Sequence, residues 1–211
     1  MLIALSKGFL TSVEIFIITI LGSMPLGILV YFGKVSRVTP VRWLANVVIS
    51  VLRGTPLMLQ LMVVYFGPNL IFGVTVPGNW RLMAVMVAFI INYAAYFAEI
   101  YRGGYESIPH GQYEAAEVLG YTKPQRFFKI ITPQMLRNTL PAITNELITL
   151  IKDTSLASVI GTVEMFTKAK QIAVAPNTPG MLAFVAAAVF YYVFNCVVAY
   201  IMAKVENKFA Y

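Results

Sequence analysis

Five apolar segments, each about as long as a lipid bilayer is thick, limit what this chain can become. They lie near residues 9–32, 44–66, 82–101, 140–161 and 181–203. A hydrocarbon core of about 30 Å takes roughly 20 residues of helix to cross, so each segment predicts one transmembrane helix. Hydrophobic residues make up 59% of the chain and charged residues 12%, against about a quarter charged in soluble domains, which excludes a soluble fold. The expectation is an all-α membrane protein, a single transmembrane domain over residues 1–211 with no internal repeat. The first segment is too long for a signal-peptide core and lacks a small-residue cleavage site, so it reads as a retained span.

The net charge of +7 would suggest nucleic acid in a soluble protein. Here the basic residues are scattered at the ends of apolar segments, and orientation in the bilayer accounts for them. Ten Lys and Arg fall in the connection between the first two segments, in the connection between the third and fourth, and in the tail. The opposite side has four: Lys7, Arg81, Lys168 and Lys170. The positive-inside rule therefore places the N-terminus outside and the C-terminus in the cytoplasm.

The connection between the third and fourth segments, residues 109–133, is then cytoplasmic, and it is amphipathic where its neighbours are apolar. Pro109 and Gly111 break the chain, Gln112 to Leu119 are helix formers, and Gly120 stops them. A second helix restarts at Pro124, tolerated in a first turn, and Pro133 is expected to end it. Two readings fit: a compact knob, close-packed through Ala115 and Ala116, that docks into a partner's groove, or a helix lying on the lipid headgroups.

Glu114, Ala115 and Ala116, followed by Gly120, Ile130 and Pro133, fall at the spacing EAA-x3-G-x9-I-x-LP, with Thr132 where Leu is usual. In this the chain resembles the membrane subunits of ABC importers. Arg53-Gly54-Thr55-Pro56-Leu57 with Gln60, and Lys152-Asp153-Thr154-Ser155-Leu156, resemble the branch that carries polar amino acids. The resemblance implies that Glu114, Ala115, Ala116, Gly120, Ile130 and Pro133 form a coupling helix docked on a separate P-loop ATPase. It also implies two ATPase subunits that bind ATP and Mg, a second permease subunit that is either a copy or a paralogue, and an extracytoplasmic solute-binding protein. The chain itself has no G-x4-G-K-[ST] sequence: Gly33-Lys34 lacks both the upstream glycine and the following hydroxyl. With one His and one Cys, no metal cluster of those residues and no Ser-His-Asp arrangement is expected.

Ionisable residues inside spans are expensive and mark function. Glu146, Thr149 and Asp153 recur at i, i+3 and i+7 on one face of the fourth segment; Asn92, Tyr96 and Glu99 recur at i, i+4 and i+7 on the third. Together with Thr154 and Ser155, Glu146, Asp153, Asn92, Tyr96 and Glu99 are the candidate contacts for a polar amino acid, a basic one being expected because carboxylates suit a cation. Plainer roles stand beside this one. Asp153 would pair with Lys152 of a neighbouring subunit, Glu99 with Arg102, and Arg53 would cap carbonyls freed where Gly54 and Pro56 break the second span. The rival function is a stand-alone gradient-driven transporter or channel; a scaffold would leave Glu146 and Asp153 without purpose.

Overall fold

The computed structural model describes residues 1–176 and 180–209, and the elements among them are all helical. Three helices are each long and apolar enough to cross a membrane alone. These are α1 (Leu2–Lys34), α4 (Trp80–Glu106) and α9 (Gly180–Phe209). They contain the first, third and fifth expected spans and run past them at both ends, with no proline in the flanking residues to stop them.

Helix α4 is the centre of the fold, packed against α1, α3 and α7. Its contact with α1 is a seam of small side chains. Thr19, Ser23 and Gly27 lie buried along one face of α1, and a Cβ on Gly27 would sit 2.8 Å from the Cβ of Phe97. Lipid tails are as apolar as Leu, so helices in a bilayer associate by close packing, and small residues permit it.

The second expected span is not one helix. It divides into α2 (Thr39–Gly54) and α3 (Leu57–Phe72), which meet at an angle of 109°. Pro56 pushes the residue before it out of the helical region, and Thr55 is extended at φ −123°, ψ 149°. The carbonyls this break frees are met by two amides. Gln60 Nε2 donates to Leu52 O at 2.8 Å and lies 2.8 Å from Thr55 Oγ1; Asn92 Nδ2 donates to Leu52 O at 3.2 Å and to Gln60 Oε1 at 2.9 Å. Arg53, expected to cap these carbonyls, does not. Helix α2 is amphipathic, buries only Ile49, and lies across the end of α1, where Gly33 faces Ala45.

In the insert, α5 (His110–Val118) and α6 (Lys123–Arg126) form as the sequence suggests. Pro133, however, does not end the second helix. From α6 the chain passes through a π-helical turn, Phe127–Ile131, straight into α7 (Thr132–Asp153). The N–H of Thr132 reaches back five residues to Phe127 O, and this wider turn relieves the clash a proline ring makes with the carbonyl four residues earlier. Helix α7 starts before the fourth expected span and is too polar to qualify as one by composition alone. It continues as a 3-10 helix, Thr154–Ile160, that stops at Gly161 with φ 77°.

Helix α8 (Met165–Ala173) is not among the elements expected from the sequence. It is capped by Glu164, which is fully buried. The carboxylate accepts from the N–H of Phe166 at 2.6 Å, the N–H of Thr167 at 2.8 Å and the Tyr191 hydroxyl at 3.3 Å. With Met165 N–H donating to Ser12 Oγ at 3.3 Å, this corner joins α1, α8 and α9.

Two outcomes are expected. Burial pushes the Glu164 carboxyl up against the pull of its hydrogen bonds, so the native state holds its proton more tightly than the unfolded chain. Its contribution to stability is then greatest below the usual carboxylate range and is lost as pH rises through the native value. In micelles between about pH 4 and pH 7, Glu164→Gln should gain on the parent protein as pH rises; a constant gap in melting temperature would rule this out. At the break, Asn92→Leu strips Gln60 Oε1 of its donor and should cost about 1–3 kcal/mol of unfolding free energy. Gln60→Met should cost a similar amount, and the double variant less than the sum.

Candidate functional site

Along α4, Asn92, Tyr93, Tyr96 and Glu99 share one face, at i, i+1, i+4 and i+7. Helix α7 packs beside it and brings Glu146 and Asp153. The two helices meet through the buried Tyr93, whose hydroxyl donates to Asp153 Oδ2 at 2.8 Å. The rings of Tyr93 and Tyr96 are 6.1 Å apart, continuing the aromatic wall. Glu146 lies in the electrostatic reach of both Asp153 and Arg53. Arg53 in turn places its guanidinium 5.2 Å from the centre of the Tyr96 ring and 3.6 Å from Glu99. These residues, distant in sequence, thus form one strip running from Asp153 to Glu99.

Charge is unevenly balanced along the strip. Glu99 is surrounded by cations: it pairs with Lys34 of α1, with Arg102 at 2.9 Å and with Arg53 of α2. The expected bond to Arg102 is present, but it is one of three, and Arg102 also pairs with Glu106. At the other end, no Lys or Arg pairs directly with Asp153 or Glu146 among the described residues. Both carboxylates are only partly exposed.

Three candidates fall out of the strip. Asn92 is 3% exposed and belongs to the brace at the α2–α3 break. Thr154 is 1% exposed, with its hydroxyl bonded to Ile151 O at 2.8 Å. The Ser155 hydroxyl is likewise turned back on its own helix, to Lys152 O. Tyr93 and Gln60 were not singled out as contacts. A signal for Tyr93 existed, since a tyrosine hydroxyl inside an apolar span needs a partner.

The insert forms a stiff knob. Gly120 takes φ 76°, and the N–H groups of Leu119, Gly120 and Tyr121 donate to the carbonyls of Ala115, Glu117 and Ala116, closing α5 as glycine caps do. Thr122 and Gln125 cap α6 reciprocally. Ala116 packs inward at 2% exposure, whereas Glu114 and Ala115 face outward. Arg126 pairs with Glu117 at 3.4 Å and covers the Tyr113 ring at 5.6 Å. Tyr113 meets Tyr105 of α4 edge-on at 6.2 Å. Half-buried Ile130 passes its carbonyl to Gln134 of α7 at 2.9 Å, and Gln134 also reaches Gln112. Burial pushes the Tyr113 hydroxyl above its ordinary value. Val118, Leu119 and Phe128 stand exposed at 88%, 73% and 69%, an apolar rim on an otherwise polar knob.

Comparison with known proteins agrees with this geometry. Residues 23–211 match the family described as binding-protein-dependent transport system inner membrane component. The L-cystine transport system permease protein TcyB of Bacillus subtilis is 33% identical over 205 residues, covering 97% of this chain and 86% of that protein. The arginine transport system permease protein ArtQ of the same organism is 36% identical over 202 residues, covering 96% and 90%. A crystal structure of an amino acid ABC transporter with histidines superimposes with a TM-score of 0.87 at 30% identity, covering 97% of this chain and 94% of that one. The MetNI methionine ABC transporter, at 16% identity and a TM-score of 0.73, shares the fold. The chain belongs to the inner membrane components of binding-protein-dependent transport systems, as a multi-pass amino-acid permease subunit of an ABC transporter.

Proposed function

We propose that this permease forms the translocation path of an ATP-driven importer for polar amino acids and favours a cationic side chain. The observation that carries the preference is the pair Asp153 and Glu146, two carboxylates in a membrane helix with no direct cation partner among the described residues. A charge at mid-bilayer costs about 2.5–3.5 kcal/mol on insertion scales, and a cationic substrate beside Tyr93 and Tyr96 offsets that cost each time it passes. Similarity to an arginine permease supports this; cystine and glutamine permeases among the relatives keep neutral polar substrates in the test.

The membrane is crossed five times, by α1, by α3 with α2 bent away from it, by α4, by α7 and by α9, with the N-terminus outside. The knob at residues 109–133 is the coupling helix. Its exposed Glu114 and Ala115, and the rim of Val118, Leu119 and Phe128, dock on a separate P-loop ATPase, present in two copies, that binds ATP and Mg. A second permease subunit completes the path, and an extracytoplasmic solute-binding protein delivers the amino acid. Coupling runs through rigid contacts: the knob is joined to α4 through Tyr113 and to α7 through Gln134, the two helices that carry the strip.

A tag on the C-terminal tail should retain an ATPase from detergent extracts of the native host. Gly120→Trp, which no L-residue backbone favours at φ 76°, should lose it, while Gly120→Asn, which tolerates that conformation, should keep it. Failure to retain an ATPase with the unaltered chain would move the gradient-driven transporter to the front. In reconstituted complex, Asp153→Asn should depress arginine uptake roughly tenfold or more relative to glutamine. Equal losses for both amino acids would remove Asp153 from selection.

A further inference from the structure

Arg53 has been left without the task that its sequence position suggested. It sits at the C-terminal end of α2, one residue before Gly54 and the break, where an arginine is the natural partner for freed carbonyls. Those carbonyls already have donors in Gln60 and Asn92. The guanidinium instead reaches across to α4, stacks over Tyr96 at 5.2 Å and approaches Glu99 at 3.6 Å, with Glu146 within electrostatic reach on α7.

Each of these contacts is weak in a particular way. The distance to Glu99 is longer than that from Arg102, at 2.9 Å, and Lys34 is closer still. Glu99 therefore remains paired with two cations if Arg53 leaves. The Arg53 side chain is 42% exposed, so it is not held by surrounding packing. What it occupies is the face of an aromatic ring beside a carboxylate, an environment that recognises a guanidinium or an alkylammonium.

We propose that Arg53 is a resident counter-ion: it holds the place of a cationic substrate side chain over Tyr96, beside Glu99, and the arriving substrate must displace it. This rests on the amino-acid path proposed above and adds a specificity-determining residue to it. A resident competitor lowers the apparent affinity for a cation by the fraction of time it occupies the site, and leaves a neutral side chain, which does not seek that place, unaffected. It also keeps a positive charge near Glu146 between transport events, whereas Glu99 retains Lys34 and Arg102 whether or not Arg53 is in place.

The test is the dissociation constant of arginine and of glutamine on the assembled complex in nanodiscs, by displacement of radiolabelled amino acid. Arg53→Gln should bind arginine roughly fivefold tighter or more, with glutamine within about twofold of the parent. Arg53→Lys, which keeps the charge, should keep the parent ratio between the two amino acids. Arg53→Met, which keeps most of the volume, repeats the first measurement if the Gln variant does not assemble. Loss of affinity for both amino acids alike in Arg53→Gln, or a ratio in Arg53→Lys that shifts as far as in Arg53→Gln, overturns the counter-ion role and leaves Arg53 structural. If the parent binds only glutamine and Arg53→Gln gains arginine, the role stands; if Arg53→Gln gains nothing, it fails while the amino-acid path survives. Absence of any amino-acid binding to the parent complex overturns both.

Discussion

A helix broken inside hydrocarbon must find donors for the carbonyls it frees, and much of this molecule follows from how that is done between α2 and α3. Pro56 removes an N–H and forces Thr55 out of the helix. Gln60, one turn into α3, and Asn92, on α4, then converge on Leu52 O. Because one of the two donors comes from α4, the break is fixed against the central helix rather than left to hinge. The 109° turn lays α2 across the end of α1 and brings Arg53 to α4 and within electrostatic reach of Glu146 on α7. Without the brace, the strip would lose its only cation from α2.

The strip illustrates how a membrane protein distributes charge it cannot leave bare. At one end, Glu99 draws on three helices at once, α1 through Lys34, α2 through Arg53 and α4 through Arg102. This makes it a junction, and junctions between three elements hold geometry well, since a carboxylate with several hydrogen-bonded cations has little reason to move. At the other end, Asp153 has a tyrosine hydroxyl, and Glu146 has no ion-pair partner among the described residues. An uncompensated pair beside a compensated one creates a direction along the strip, from sites that need a cation to one that has several.

The knob and the strip are joined by backbone, not by a loose tether. The π-helical turn lets Pro133 lie inside one continuous helical run from Lys123 to Asp153, so Phe128 is joined to Asp153 by unbroken helix. An ordinary proline stop at that point would have separated the two. Wider turns of this kind are frequent at functional sites, and here the turn has a mechanical consequence.

The sequence by itself determined the class of the molecule, the places of α1, α4 and α9, the positions of α5 and Gly120, and the face that joins Tyr96 to Glu99. These rest on local signals: apolar length, helical period and the need for glycine at a positive φ. It also marked Gly54 and Pro56 as a break, but not its angle or its partners. Only the tertiary structure decided that Pro133 lies within a helix, that α8 exists under the cap of buried Glu164, and that Asn92 reaches Leu52 O and Gln60 at the α2–α3 break. It alone gave Arg53 and Lys34 to Glu99 and Tyr93 to Asp153. Most of those outcomes depend on a residue many positions away, Asn92 for Leu52, Tyr191 for Glu164, Lys34 for Glu99. Spacing along a chain reports which residues share a helix face; which faces meet is settled by packing between helices, where the small residues of α1 and the bend at Thr55 set the distances.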